Sequence, residues 1–300
     1  MKSKKINYEK LFEGKLTDTE ISWIKQGGKE FELFKEDIKE ALTLNRFNDH
    51  YIFSSPPGYV KTWTLNETAD ELGIKLVKFD GSLGVFSFAA DIASILLAAP
   101  KDINKIYCAM DDCDSLYDKG DNLNTVKGMY DERRKVLAYG KSLGPQYHML
   151  DDIQKEAIDS FKIPGRSGFS IPMDKFVFIT LTNRWFPDMN DVDKASDSKK
   201  SYYLDLAAIR RRVQFKDIKF EKGVDWGYCV HVLLNKPVSE KNFPNIRFED
   251  KLEMIKFSSP LNNWNRLNET NVSLFDKMSK DMVKFPKDYP NKWYSQYVKK

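Results

Sequence analysis

Five short runs of β-branched and aromatic residues, separated by helical stretches, constrain this chain more than any other feature. They are Tyr51-Ile52-Phe53, Leu76-Val77-Lys78-Phe79, Ile106-Tyr107-Cys108-Ala109-Met110, Phe176-Val177-Phe178-Ile179-Thr180-Leu181 and Val213-Gln214-Phe215. The third and fourth are nearly continuous in apolar residues, as strands covered on both faces must be. Strands alternating with helices point to a mostly parallel sheet of βαβ units, an α/β fold. Upstream, Ile21, Ile24, Phe31, Phe34, Ile38 and Leu42 recur at roughly helical spacing, with a break expected at Gly27-Gly28. From about Asp225 onward, Leu252, Ile255, Trp264, Leu267, Val272, Leu274, Met278 and Met282 predict a small helical assembly broken at Pro260, Pro286 and Pro290. The expected organisation is an N-terminal helical segment over 1–45, an α/β domain over 46–222 and a small helical domain over 223–300.

Composition removes several classes. Aromatic residues make up 13% of the 300, enough burial to offset chain entropy and exclude general disorder. The most apolar stretch, Val85 to Ala99, contains Asp91 and is too short to cross a bilayer, so no membrane partner is expected. The first residues, Met-Lys-Ser-Lys-Lys-Ile-Asn-Tyr-Glu, lack the apolar core of a secretory signal. Cys108, Cys113 and Cys229 are an odd number, which argues against a disulfide framework and for a reducing cytoplasm. The 48 Lys+Arg against 44 Asp+Glu leave too small a positive balance for a surface built throughout to coat nucleic acid, but a local patch fits. Between Lys199 and Lys219, basic residues outnumber acidic ones seven to two.

The segment with the most chemistry is Ser54-Ser55-Pro56-Pro57-Gly58-Tyr59-Val60-Lys61-Thr62. It follows a short strand and precedes an expected helix, Trp63 to Leu72, which Gly73 can terminate. Strand, loop, Lys-Thr and helix form the context of a phosphate-binding loop. Loop amides and the helix N-terminus converge on an anion, the lysine adds charge, and the threonine hydroxyl reaches Mg²⁺. The regular spacing is G-x-x-x-x-G-K-[ST]; here Ser55 and Val60 stand where the two glycines belong, and valine resists torsions that glycine permits. A Pro-Gly turn before an ordinary helix is the plainer account of the loop alone.

Three downstream features bear on that choice. Ile106 to Met110 ends in Asp111-Asp112, suited to holding hydrated Mg²⁺ and orienting a water, or simply to ending a strand. Phe176 to Leu181 ends in Thr182-Asn183, a polar amide for a phosphate or a turn former. Arg210-Arg211-Arg212 precede the last strand, as a solvated face or as a cation offered to a neighbouring subunit.

In order and spacing these four elements resemble the AAA+ P-loop ATPase family, from about Phe47 to about Tyr289. The resemblance is to compact bacteriophage-encoded members related to clamp-loader and helicase-loader ATPases. Phe79-Asp80-Gly81, Asp111-Asp112-Cys113-Asp114-Ser115-Leu116, Ile171-Pro172 and Leu267 to Met278 add to it. It implies a parallel sheet flanked by helices with a small C-terminal helical lid, and binding of ATP and Mg²⁺. Carried over, Gly58, Lys61 and Thr62 bind phosphate and metal within a nucleotide-binding segment that includes Ser55, Pro57, Tyr59, Val60 and Trp63. Asp111 holds the metal through water, Asp112 stands for the usual catalytic glutamate, and Asn183 matches the first sensor. Arg212 best matches the arginine finger, with Arg211 next. The resemblance further implies a homo-oligomeric ring or a hetero-oligomer with other AAA+ subunits. It also implies work on DNA or on a replication or recombination protein, in a host cytoplasm if the chain is phage-encoded.

Three departures weigh on turnover: Val60 tilting the cradle, Asp112 one methylene shorter than glutamate, and Phe275 where the lid's second sensor carries an arginine. A catalytically degenerate AAA+ scaffold and a nucleic-acid-binding accessory factor using residues 199–219 are the alternatives. His50, His148 and His231 are too far apart to suggest zinc. The charged stretch Phe186 to Tyr203 reads as a mobile loop, and the aromatics of Asn262-Asn263-Trp264 and Lys292-Trp293-Tyr294 read as lid packing.

Overall fold

The computed structural model describes residues 6–43, 50–118, 120–131, 135–140, 144–235, 246–267, 270–284, 289, 293 and 296–299. Phe47, the 45/46 boundary, Pro286, Pro290, Lys292 and Tyr294 lie outside the described residues. The chain divides into two compact units, one of Met1–Ile38, Pro56–Thr68 and Lys219–Lys300, the other of Lys39–Ser55 and Ala69–Ile218. This interleaved grouping is of a different kind from the linear domains 1–45, 46–222 and 223–300, which we retain as a proposal.

The second unit is α/β. Its strands are β1 (Tyr51–Ser54), β2 (Leu76–Asp80), β3 (Ile106–Asp111), β4 (Val136–Tyr139), β5 (Phe169–Pro172), β6 (Phe176–Thr182) and β7 (Gln214–Asp217). Five of them form a parallel sheet in the order β2-β3-β6-β1-β7, and helices flank it. Four of the five runs expected from sequence lie wholly on one of these strands, and the fifth overlaps β7, which starts one residue after Val213. Burial explains their composition. All seven residues of β6 and all four of β1 are buried, whereas edge strand β7 is exposed at both ends. The apolar stretch after residue 85 is the helix Val85–Ala98; its Phe88 packs against Phe79 and Phe178 at ring separations of 5.1 and 6.1 Å.

One expectation fails in this unit, and one strand pairing was not anticipated. Strands β4 and β5 pair antiparallel as a separate two-stranded sheet, which four-residue segments with partly exposed positions did not announce. The stretch Phe186 to Tyr203 is not a loop: it holds the helix Met189–Asp193 and the start of the helix Asp197–Arg210. Three of its four aspartates serve helix starts, and the fourth, Asp193, ends the first helix. Asp188 caps the first helix in a reciprocal box with Asp191, and Asp197 lies in the first turn of the second.

The first unit is helical. The helix Asp18–Thr43 begins in it and runs without interruption, so the break expected at Gly27-Gly28 is absent. Those glycines serve close approach instead. A Cβ on Gly27 would lie 2.0 Å from Tyr228 N, and one on Gly28 2.7 Å from His231 Nδ1. From the facing helix, Lys222–Leu234, Gly223 and Gly227 make matching approaches to Trp23. The C-terminal helices Phe248–Ser258 and Val272–Lys284 bury Leu252, Ile255, Val272, Leu274, Met278 and Met282. Phe275, Trp264 and Trp293 are buried too, as packing residues. Among the described residues no helix is long and apolar enough to cross a membrane.

Candidate functional site

Loop 55–62 leaves the end of β1 directly. Gly58 and Val60 both adopt left-handed torsions, φ 82° and 52°, and Lys61 opens the helix Lys61–Leu72. Valine therefore takes the conformation that the regular glycine would take, at a cost of about 1–2 kcal/mol for a branched side chain. Thr64 holds that turn, donating from N–H and from Oγ1 to the Val60 carbonyl, each at 2.9 Å. The helix closes as expected at Gly73, φ 68°, whose N–H reaches the Asp70 carbonyl at 3.1 Å.

Within the helical unit the loop is anchored from several sides. The Gly58 carbonyl accepts from Val272 N–H at 3.2 Å, and a Cβ on Gly58 would lie 2.6 Å from Asn271 Cγ. Tyr59 is buried; its hydroxyl donates to Asp225, and its carbonyl accepts from Tyr228 O–H at 3.1 Å. Burial raises the Asp225 pKa against the opposing hydrogen bonds from Tyr59 and Trp264. The Lys61 side chain is also buried, with Nζ 3.4 Å from the Pro56 carbonyl, while Thr62 is exposed.

In the α/β unit, the C-terminal edge of the parallel sheet gathers polar groups from neighbouring strands. Asp111 ends β3 and Asp112 follows it in a left-handed conformation, φ 51°. Asn183 follows β6, which lies beside β3, and its Nδ2 donates to Asp112 Oδ1 at 3.0 Å. The sequence-predicted Asp112 and Asn183 are thus brought into contact. Thr182 donates to Asp114, and Arg184 N–H donates to Thr182 Oγ1 at 2.9 Å. Cys113 is no nucleophile here: burial, then the Asp80 and Asp111 carboxylates, push its thiol up to about 12.

The arginines lie elsewhere. Gln214, the first residue of β7, is level with Tyr51, Ile179 and Ala109, so Asp112 is three residues further along the strand direction. It is also three strands away laterally. At about 3.3 Å per residue and about 4.8 Å per strand, that places the carboxylates roughly 17 Å from the start of β7. Arg211 and Arg212 precede this point and cannot reach Asp112 of their own chain. Arg212 is engaged locally, 3.4 Å from Asp131 and donating to the Lys127 carbonyl at 3.3 Å. Arg210 donates to the Phe186 carbonyl at 2.7 Å and sits 4.5 Å over the Phe215 ring. Arg211 is exposed and lines a cavity of about 330 Å³ with Arg210, Asp188, Met189 and Phe215.

Three observations bear on whether these residues suit a magnesium triphosphate. The loop has its left-handed turn despite valine, a buried ammonium sits at the helix start, and Trp63 Nε1 is buried with no acceptor among the described residues. These fit an anionic ligand that brings acceptors. No group of three His, Cys, Asp or Glu among the described residues forms a metal cluster. Mg²⁺ held by one hydroxyl, one carboxylate, waters and phosphate does not need one. Nothing in the sequence pointed to the loop anchors Asp225 and Asn271, because contacts so distant along the chain leave no local pattern.

No family model matches the chain, and no curated protein matches it. Among solved structures it is similar to the Thermotoga maritima RuvB Holliday junction branch migration motor, with 14% identity and a TM-score of 0.41. That match covers 87% of this chain and 61% of that one. Two single-substitution variants of the Thermotoga RuvB match at 16% and 15% identity, both with a TM-score of 0.39 over 88% of this chain and 64% of theirs. The chain spans about three fifths of the length of those structures.

Proposed function

We propose that this chain is an AAA+-type ATPase that binds ATP with Mg²⁺, works as an oligomer and remodels DNA or a protein–DNA complex. The observation that carries the reading is the parallel order β2-β3-β6-β1-β7, with loop 55–62 leaving β1 and Asp111, Asp112 and Asn183 on the same sheet edge. The connection from β1 runs to the far edge at β2, whereas that from β6 crosses to β7 on the opposite side. Ligands of open parallel sheets bind beyond the strand C-termini where connections diverge in this way.

In this reading the segment Ser55 to Trp63 holds the phosphates through Pro57, Gly58, Tyr59 and Val60 and the Lys61 charge. Thr62 and Asp111 hold the metal, whose chemistry when bound is to neutralise charge on the phosphate oxygens. Asp112 orients the attacking water, and Asn183 fixes the Asp112 carboxylate. Two features favour slow turnover: the shorter Asp112 side chain and the apolar, buried Phe275 in the lid.

The distance of Arg211 and Arg212 from their own chain's carboxylates supports action in trans, hence an oligomer with head-to-tail contacts. Arg211, exposed, is the first choice over Arg212, which Asp131 already engages. The basic stretch 199–219 supports DNA as partner, alongside a replication or recombination protein.

Complementation tests the reading. Lys61→Ala and Arg211→Ala chains should each be inactive alone, and mixing them should restore ATPase activity, because one supplies the arginine and the other the intact site. Active wild type with no restoration on mixing would contradict action in trans. Wild type that binds ATP without turnover would leave the scaffold alternative.

A further inference from the structure

Arg184, the residue after Asn183, joins the C-terminal sheet edge to the helix Asp197–Arg210. Its carbonyl accepts from Ser54 Oγ at 2.8 Å and its N–H donates to Thr182 Oγ1 at 2.9 Å, so its main chain is fixed between the ends of β1 and β6. Its guanidinium forks. Nη1 donates to the Tyr117 carbonyl at 2.8 Å and to Tyr202 Oη at 2.6 Å, while Nη2 meets Asp118 Oδ1 at 2.6 Å. Tyr202 lies on the helix and its hydroxyl also donates to the Tyr117 carbonyl at 3.0 Å. Two residues on, the Phe186 carbonyl accepts from Arg210 at the helix end. The stretch 182–186 therefore grips this helix twice, at Tyr202 and at Arg210, and begins beside the amide that touches Asp112.

We infer that Arg184 is a positioning residue that transmits occupancy at Asn183 to the helix Asp197–Arg210 and so sets where Arg211 is presented to a neighbouring subunit. This rests on the nucleotide-binding reading above. The stretch has no slack, because Arg184 is bonded through its N–H, its carbonyl and both terminal guanidinium nitrogens. A planar fork also fixes direction as well as distance, which a flexible lysine does not. Coupling of this kind requires one physical element that both ends bias, and the Arg184–Tyr202 contact is that element.

Hydrogen–deuterium exchange of the full chain tests it, with and without Mg²⁺ and the β,γ-imido analogue of ATP, in wild type, Arg184→Met and Tyr202→Phe. In wild type the nucleotide should slow exchange about tenfold in residues 56–62 and shift it about tenfold in 197–212. In both variants the protection of 56–62 should persist while the response of 197–212 falls below about twofold. Tyr202→Phe keeps the ring and decides the matter if Arg184→Met does not fold. Undiminished transmission in the variants overturns the inference and leaves nucleotide binding standing, as does a wild-type response confined to 56–62. No protection of 56–62 in wild type removes the nucleotide reading, and the inference with it.

Discussion

Val60 in loop 55–62 and Asp112 after β3 hold nearly the same left-handed torsion, φ 52° and 51°, under different conditions. Aspartate is among the residues that tolerate this region, and its conformation puts the carboxylate against the Asn183 amide at 3.0 Å. Its N–H is also used, reaching the Leu181 carbonyl at 3.3 Å. Valine is branched at Cβ and gains no side-chain hydrogen bond from the same torsion. The surroundings impose the loop's shape: Gly58 pinned to Val272, Tyr59 pinned to Asp225 and Tyr228, and Thr64 closing on the Val60 carbonyl. Strain at Asp112 aims a functional group, whereas strain at Val60 is a cost that the anchors override.

Substitution at Asp112 should have the largest effect. Asp112→Asn should lower turnover about 100-fold and leave Mg·ATP affinity within about twofold, read by steady-state ATPase and equilibrium binding. Parallel losses in both would erase the distinction between a carboxylate that acts and a loop that holds. Next, Gly58→Ala should destabilise the fold by about 2–3 kcal/mol in urea unfolding, since the new Cβ meets both a left-handed torsion and Asn271. Gly73→Ala, also left-handed but with nothing within 4 Å, should cost only about 1 kcal/mol. Equal costs would show that anchoring by Asn271 is not what shapes the loop.

Acid should affect both units. Burial lowers the His50 pKa to about 3, with Lys135 adding to it, and burial lowers that of His231 to about 4. Each histidine binds its proton more readily when unfolded, so stability is full above the unfolded pKa of about 6.5 and falls below it. The loss should be about 1.4 kcal/mol per pH unit for each, down to about pH 4 for His231 and about pH 3 for His50. Denaturant midpoints taken across that window check it; His50→Gln should remove about half the slope between pH 4 and 6. The smallest effect belongs to Val60→Gly. Relief of about 1–2 kcal/mol of strain, less about 0.5–1 kcal/mol of glycine chain entropy, leaves a gain of about 0.5 kcal/mol and a slightly higher Tm. A loss of stability would mean that valine packing, not torsion, dominates there.

The strands were legible because β1, β3 and β6 are buried along most of their length and so are written in consecutive apolar residues. The order of the sheet was not, since nothing local in Tyr51 or Ile179 says that they pair. Gly27 and Gly28 misled for a related reason: a helix-breaking residue and a helix-contact residue are the same letter, and only Tyr228 and His231 tell them apart. At the candidate site, Asp112 and Asn183 could be picked out as polar residues ending apolar strands. Arg184 could not, because its partners Tyr117, Asp118 and Tyr202 are 67, 66 and 18 residues away in sequence. The preference proposed for Arg211 over Arg212 rests on the Asp131 ion pair, which again has no sequence signature.

The central claim is that loop 55–62, valine included, is a working phosphate cradle. Isothermal titration of Mg·ATP into wild type and Lys61→Ala tests it most directly. The account predicts one ATP per wild-type chain and at least about a 100-fold weaker affinity in the variant. No binding to wild type, or equal affinity in both proteins, would contradict it.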